Sequence, residues 1–311
     1  MYILFCIISG NLKVVRRTNS MGVVYINGEF VSTEEAKVSV YDRGLLYGDG
    51  VFEGIRAYNG RVFKLDEHIE RLYESAHSIL IEIPLTKEEF KEKIAETIRR
   101  NNLKDAYIRP IVTRGVKGLG INPWDAMTPT VIIIADKISL YSSKMYEEGI
   151  SAVCASTIRN NPNASNPQIK SLNYLNSAMA KFEAYLAGVE EAIFLNPQGY
   201  VVEAAVDNIF IYSKGSVLLT PPTYLGALKG ITRDTVIEIA REKDIEVREE
   251  PFTRHDLYNA VEAFLTGTAA EVIPLVKVDG RVIGDGKPGS LTRDIMNSYR
   301  DLTQNSGYPV Y

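Results

Sequence analysis

Lys170 is the residue of this chain best placed to do covalent chemistry. It stands in Asn166-Pro167-Gln168-Ile169-Lys170-Ser171-Leu172-Asn173-Tyr174, among apolar and neutral polar neighbours, whereas most other lysines sit in charged, helix-like stretches such as 87–93. Burial in such a place disfavours the ammonium form, and the free amine can then attack a carbonyl to make a Schiff base. The same segment also fits a partly buried lysine whose stem packs while its head reaches water. Two turns rich in Gly and Thr bear on the choice. Gly230-Ile231-Thr232 directly precedes an apolar-periodic helix, so its N–H groups and the Thr hydroxyl face outward at the positive end of the helix dipole. Thr266-Gly267-Thr268-Ala269 offers the same groups at the end of a strand. Singly, each also reads as a helix cap or a tight turn; paired with a reactive lysine, both gain weight as phosphate sites.

The elements that must position these residues follow from local pattern. Residues 23–26 and 29–32 flank Asn27-Gly28, a strong hairpin signal, and a second hairpin runs over 51–58 and 61–65 around Asn59-Gly60. From about Asp66 a helix carries Ile69, Leu72, Tyr73, Ala76, Ile79 and Leu80 on one stripe. Thr86 and Glu89 form a capping box for a helix bearing Phe90, Ile94 and Ile98, and strands at 106–113 and 130–135 complete an α+β unit. The pattern weakens over 138–148, which reads as a connection between domains. Beyond it come a strand, a Pro/Asn-rich loop, a helix over 173–187 stopped by Gly188, strands at 191–195 and 208–212, a helix from Thr232, and a strand at 263–265. No internal repeat is present. The expected division is therefore 1–20 as an extension, 21–137 as a small α+β domain and 149–311 as a larger one. Residues 1–20 read as disordered or as a misplaced start, because the basic residues Lys13, Arg16 and Arg17 follow the apolar run, the reverse of a signal peptide.

Bulk composition excludes several classes of function. A chain of 311 residues with 45% hydrophobic content can build two ordinary domains. Its formal charge of -4, with basic and acidic residues mixed, leaves no footprint for nucleic acid, and no segment reads as a membrane span. Cys6 and Cys154 lie far apart and lack metal-type spacing, so neither a disulfide framework nor a metal site is expected, and a cytoplasmic location fits best. Gly118-Leu119-Gly120 lacks the rest of a dinucleotide fingerprint.

Several ordered motifs together resemble the branched-chain amino acid aminotransferases, members of the class IV, fold-type IV family that uses pyridoxal 5′-phosphate. They are Tyr47-Gly48-Asp49-Gly50-Val51-Phe52-Glu53-Gly54-Ile55-Arg56, His68-Ile69-Glu70-Arg71-Leu72, Tyr107-Ile108-Arg109-Pro110, Lys170 to Tyr174, Glu203 with Asn208, Gly230-Ile231-Thr232-Arg233, and Thr266 to Glu271. The resemblance implies a two-domain α+β fold with a small N-terminal domain and a larger C-terminal domain around a β-barrel-like core. It implies that Lys170 is both the Schiff-base residue and the proton carrier, and that Glu203 faces the pyridine nitrogen. Tyr174 would reach the cofactor O3′, Arg71 the phosphate, and Leu228, Ile231, Thr232, Gly267 and Thr268 would complete the cofactor site.

For substrates, the resemblance points to Tyr107 and the Thr268-Ala269 backbone for the α-carboxylate, and to Arg109 for the distal carboxylate of glutamate. Phe52, Tyr47, Ile121 and Tyr141 would line the aliphatic pocket, some of them from a neighbouring subunit, because the implied state is a homodimer with the active site at its interface, able to assemble further. The implied reaction is transamination of L-leucine, L-isoleucine and L-valine with 2-oxoglutarate. On the same fold, a D-amino acid aminotransferase and an aminodeoxychorismate lyase are the alternatives, and a cofactor-binding protein without turnover is disfavoured by Lys170 and Glu203 together.

Overall fold

The computed structural model describes residues 4–8, 11–15, 22–125, 128–138 and 140–311, which fold as α+β around two large sheets. The first sheet grows from the two expected hairpins. Asn27 (φ 49°) with Gly28 (φ 98°), and Asn59 (φ 51°) with Gly60 (φ 73°), supply the left-handed pairs that a two-residue turn needs between right-twisting strands. Its order is Tyr308–Pro309, Arg61–Val62, Ile55–Tyr58, Ala106–Thr113, Thr130–Asp136, Val23–Ile26, Glu29–Ser32, with Gly50–Phe52 also on Ala106–Thr113, and every pairing is antiparallel.

The strand expected over 51–58 is in fact two, Gly50–Phe52 and Ile55–Tyr58. They part opposite Pro110, whose carbonyl accepts the Glu53 N–H at 2.9 Å but which has no N–H to return. On its other side Gly50–Phe52 takes the lysine segment: Phe52 N–H donates to Lys170 O at 3.0 Å and Leu172 N–H to Gly50 O at 2.9 Å.

Helices Leu65–Ser78 and Lys87–Arg100 cover this sheet, burying Ile69, Leu72, Ala76, Phe90, Ile94 and Ile98 against Val51, Ile55, Ile108 and Val112. The Thr86–Glu89 capping box forms as expected. Leu80 does not join the stripe; the first helix ends at Ser78, and Leu80 sits exposed with φ 56°.

The second sheet is mixed, in the order Val201–Ala204, Glu191–Leu195, Ile150–Cys154, Glu271–Val278, Glu262–Gly267, Asn208–Tyr212, Leu218–Thr220, Val247–Glu249, with Arg281–Val282 paired to Glu271–Val278. It curls into a barrel-like core, because its edge strand Val201–Ala204 leads through 205–207 straight into Asn208–Tyr212, and Ala204 N–H closes the turn on Asp207 O at 2.7 Å. Helices Ile231–Glu242 and Ser290–Asn305 pack on it through Val236, Ile237, Ile295 and Met296, against Phe210 and Phe264.

Three features depart from the sequence reading. The 138–148 connection contains a short helix, Ser143–Glu148. The chain's last strand, Tyr308–Pro309, returns to pair with Arg61–Val62, so residues 149–311 are not confined to the second sheet. Of residues 1–20, read from the sequence as disordered or as a misplaced start, Leu4–Ile8 and Asn11–Val15 form an antiparallel hairpin of their own, and the remainder lies outside the described residues.

Candidate active site

Residues from both sheets wall a cavity of about 400 Å³, and Lys170 opens onto it. The lysine is fixed by its backbone: beyond the ladder to Phe52, its N–H donates to Ser75 Oγ at 3.2 Å, from helix Leu65–Ser78. Its amine reaches the Tyr174 hydroxyl at 3.1 Å and lies 4.6 Å from the Phe52 ring centre. Tyr174 occupies the cap position of helix Leu175–Ala187, and its ring meets Phe52 edge to face at 5.0 Å. The short Ser171-Leu172-Asn173 link thus returns the tyrosine to the lysine.

One end of the cavity is built for an anion. Helix Ile231–Glu242 starts there on Gly230 with no side-chain cap, so its first N–H groups keep their donating capacity. Only a glycine fits at 230, where a Cβ would strike the Asn208 amide. Arg71 faces the same end. Its Nε and NH2 donate to Glu53 at 2.6 and 2.8 Å, and its NH1 to the Lys229 carbonyl at 2.7 Å, which aims the guanidinium. Glu53 is wholly buried and also meets His68 Nδ1 at 2.8 Å. Burial raises its carboxyl, but the charges of Arg71 and His68 outweigh burial and hold it well below the usual carboxylate range. His68, also buried, is pushed down by burial.

At the other end Arg109 NH2 donates to the Tyr107 hydroxyl at 2.7 Å, and its guanidinium lies 4.7 Å from the Phe52 ring centre. The Thr266-Gly267-Thr268-Ala269 turn lines the same cavity. Arg56, to which the sequence assigns no role, donates to the Ala269 carbonyl at 3.3 Å and pairs with Glu271 at 2.9 Å, tying that turn to the first sheet.

Glu203 is one layer back, bonded to two residues of the wall. Its Oε2 accepts from Asn208 Nδ2 and from Leu228 N–H, both at 3.0 Å, and its Oε1 meets Arg159 NH2 at 2.6 Å. Burial pushes its carboxyl up, against the pull of Arg159 and the Leu228 N–H.

The cavity therefore gathers Lys170, Arg71, Tyr174, Leu228, Ile231, Thr232, Gly267, Thr268, Phe52, Tyr107, Arg109 and Ala269. Besides Glu203, three residues named from the sequence do not line it. Tyr47 donates to the Leu119 carbonyl and Ile121 is 71% exposed, both away from their own chain's cavity. Tyr141 lines a neighbouring hollow that shares Leu140 and Ala269 with it. Sequence reasoning assigned no part to Glu53, Arg159 or Asp207. Glu53 sits inside a quoted motif, but nothing local signals that Arg159, 44 positions before Glu203, is its partner.

The family profile described as amino-transferase class IV matches residues 50–278. A putative branched-chain-amino-acid aminotransferase of Methanocaldococcus jannaschii is 54% identical over 288 residues, covering 93% of this chain and 99% of the relative. Among solved structures, the Escherichia coli branched-chain amino acid aminotransferase superposes with a TM-score of 0.89 at 39% identity, covering 92% of this chain and 96% of that one. The Thermobaculum terrenum enzyme of the same name, solved in its PLP form, gives 0.82 at 32% identity, covering 91% and 94%. Likeness of this extent, on top of a lysine, an arginine and two glycine turns that meet at one cavity, means that the chain belongs to the class IV aminotransferases.

Proposed function

We propose that this protein is a branched-chain amino acid aminotransferase that binds pyridoxal 5′-phosphate and exchanges amino groups between L-leucine, L-isoleucine or L-valine and 2-oxoglutarate. One observation carries the reading: the Lys170 amine, the Arg71 guanidinium and the uncapped start of helix Ile231–Glu242 open on a single cavity of about 400 Å³, with Glu203 held just behind its wall. The donor set fits that cofactor. Arg71 and the helix start suit a phosphate, and the buried Thr266 Oγ1 and Arg109 Nε lack partners among the described residues.

When bound, the cofactor supplies an aldehyde for the amino group and a ring that draws electrons from the substrate Cα. Arg71, the N–H groups of Ile231 and Thr232, and Thr268 hold the phosphate. Glu203, fixed behind the wall by Arg159 and the Leu228 N–H, would supply the negative charge that favours a proton on the ring nitrogen. Lys170 would carry the proton on its Nζ from the substrate Cα to the cofactor carbon that bore the aldehyde, with the Tyr174 hydroxyl orienting the amine. Tyr107 and the Thr268-Ala269 amides bind the α-carboxylate, Arg109 binds the distal carboxylate of glutamate, and Phe52 packs on the aliphatic chain.

We infer also a homodimer in the cytoplasm. Val40, Tyr41, Leu45, Leu119, Ile121 and Trp124 are all at least half exposed. Arg43 gathers the carbonyls of Gly120 and Ile121, so part of this apolar surface is a built one, of the kind that marks an interface. Tyr47 and Ile121 would then serve the partner's cavity.

Adding L-leucine, L-glutamate and D-alanine separately to the loaded protein, while recording the cofactor spectrum, tests the reading. Conversion to the amino form by L-leucine and L-glutamate is expected; conversion by D-alanine alone would overturn it. Lys170→Ala is expected to abolish turnover.

A further inference from the structure

Among the described residues, Asp207 is the one buried carboxylate on the cavity wall to which the proposed mechanism gives no part. It sits in the turn between Val201–Ala204 and Asn208–Tyr212 and is 5% exposed. Its Oδ2 has no partner among the described residues. Gly267 lies so close that a Cβ there would collide with Oδ1, so the backbone of the Thr266–Ala269 turn rests directly against this carboxyl.

The surroundings hold more acid than base. Glu191 faces Asp207 from its strand, Glu203 from the preceding strand, Tyr141 and Tyr146 from the segment and helix after residue 140, Lys181 from helix Leu175–Ala187, and Lys170 from the catalytic loop. Two of the nearby cations are paired with other carboxylates, and the third donates to a hydroxyl. Lys181 bonds Glu191 at 3.1 Å, Arg159 bonds Glu203 at 2.6 Å, and the Lys170 amine bonds Tyr174 at 3.1 Å. An ionised Asp207 would have to sit unpaired out of water, among carboxyls that burial already pushes up, which is costly. In keeping with this, burial and then Glu191 push the Asp207 carboxyl up to about 8.

We propose that Asp207 is a positioning residue that stays protonated in the working enzyme, and that its neutrality is what allows the Gly267-Thr268-Ala269 turn to hold an anionic carboxylate beside it. Ionised, the same side chain would place a negative charge under the turn and oppose any anion there. The inference rests on the reading of that turn as the α-carboxylate site.

The probe is 4-methylpentanoate, the carboxylate of leucine without its amine, titrated calorimetrically into the loaded enzyme from about pH 6.5 to about pH 9.5, where an interaction worth one pKa unit reads as a tenfold change. Native enzyme is expected to lose about tenfold in affinity as the pH rises through about 8. Asp207→Asn, neutral throughout, is expected to lack this drop, and the titration of groups that do not interact with Asp207 is common to both proteins and cancels in the comparison. Glu191→Gln removes one neighbouring charge and is expected to move the drop to lower pH, which keeps the test open should Asp207→Asn not fold. Equal drops in native enzyme and Asp207→Asn, a flat native profile, or a Glu191→Gln profile that does not move would each overturn the proposal while leaving the carboxylate site standing. Failure of the probe to bind at any pH would instead remove that site, and this inference with it.

Discussion

Glu53 and Asp207 are both carboxylates taken out of water beside the same cavity, and their surroundings drive them to opposite states. Glu53 has Arg71 on both oxygens and His68 on one of them, so it stays ionised although nothing around it is wet. Asp207 meets other acids, and the nearby cations are spent on Glu191 and Glu203. Depth of burial is the same; the count of opposite charges within reach decides which form survives. The difference maps onto function. At the phosphate end a fixed negative charge aims a positive one at an anion, while at the carboxylate end a silenced charge leaves the backbone amides free to hold one.

The sharpest way to break this comparison is Glu53→Ala, which strands Arg71 and His68. A loss of about 3–5 kcal/mol in urea-measured stability is expected, together with weaker retention of the cofactor. A loss below about 1 kcal/mol would mean that the pair is not what holds this region. Next in size, Glu203→Gln keeps the side chain's size, removes the charge and turns one acceptor into a donor; a fall in kcat of at least about 100-fold is expected, with Kd for the cofactor much less affected.

Asp207→Asn tests the other side through stability without cofactor. A carboxyl raised in the fold favours folding fully below its unfolded pKa and loses that contribution as the pH rises through its folded one. The variant should therefore match the native chain near about pH 4 and melt a few degrees higher at about pH 8. Glu53 has the opposite sign, since a depressed carboxyl stabilises above its unfolded pKa and the contribution is lost as the pH falls towards its folded one. The smallest effect belongs to Arg56→Lys, which keeps the charge near Glu271 and loses the guanidinium contact with the Ala269 carbonyl; a KM for L-leucine raised about two- to fivefold with kcat unchanged is expected.

Much of the site was legible because its signals are short. Asn27-Gly28 and Asn59-Gly60 specify hairpins within two residues, Gly230-Ile231-Thr232 marks a helix start, and Lys170 stands out by the neutrality of its immediate neighbours. Other features carried no such signal. The break at Glu53-Gly54 depends on Pro110 lying across the ladder, and the two-residue strand Tyr308–Pro309 is too short to show any period. Tyr47 and Ile121 were named for a pocket that their own chain does not bring them to.

From the order of residues alone come the reactive amine, the glycine turns able to cradle a phosphate and the helices and hairpins that carry them, because each is written in side chains adjacent along the backbone. Which acid meets which base was settled only when each sheet packed with the helices and loops that cover it. Arg71 found Glu53, Arg159 found Glu203 and Asp207 was left without a cation, since a charge answers to whatever lies within a few ångströms in space, and sequence separation says nothing about that.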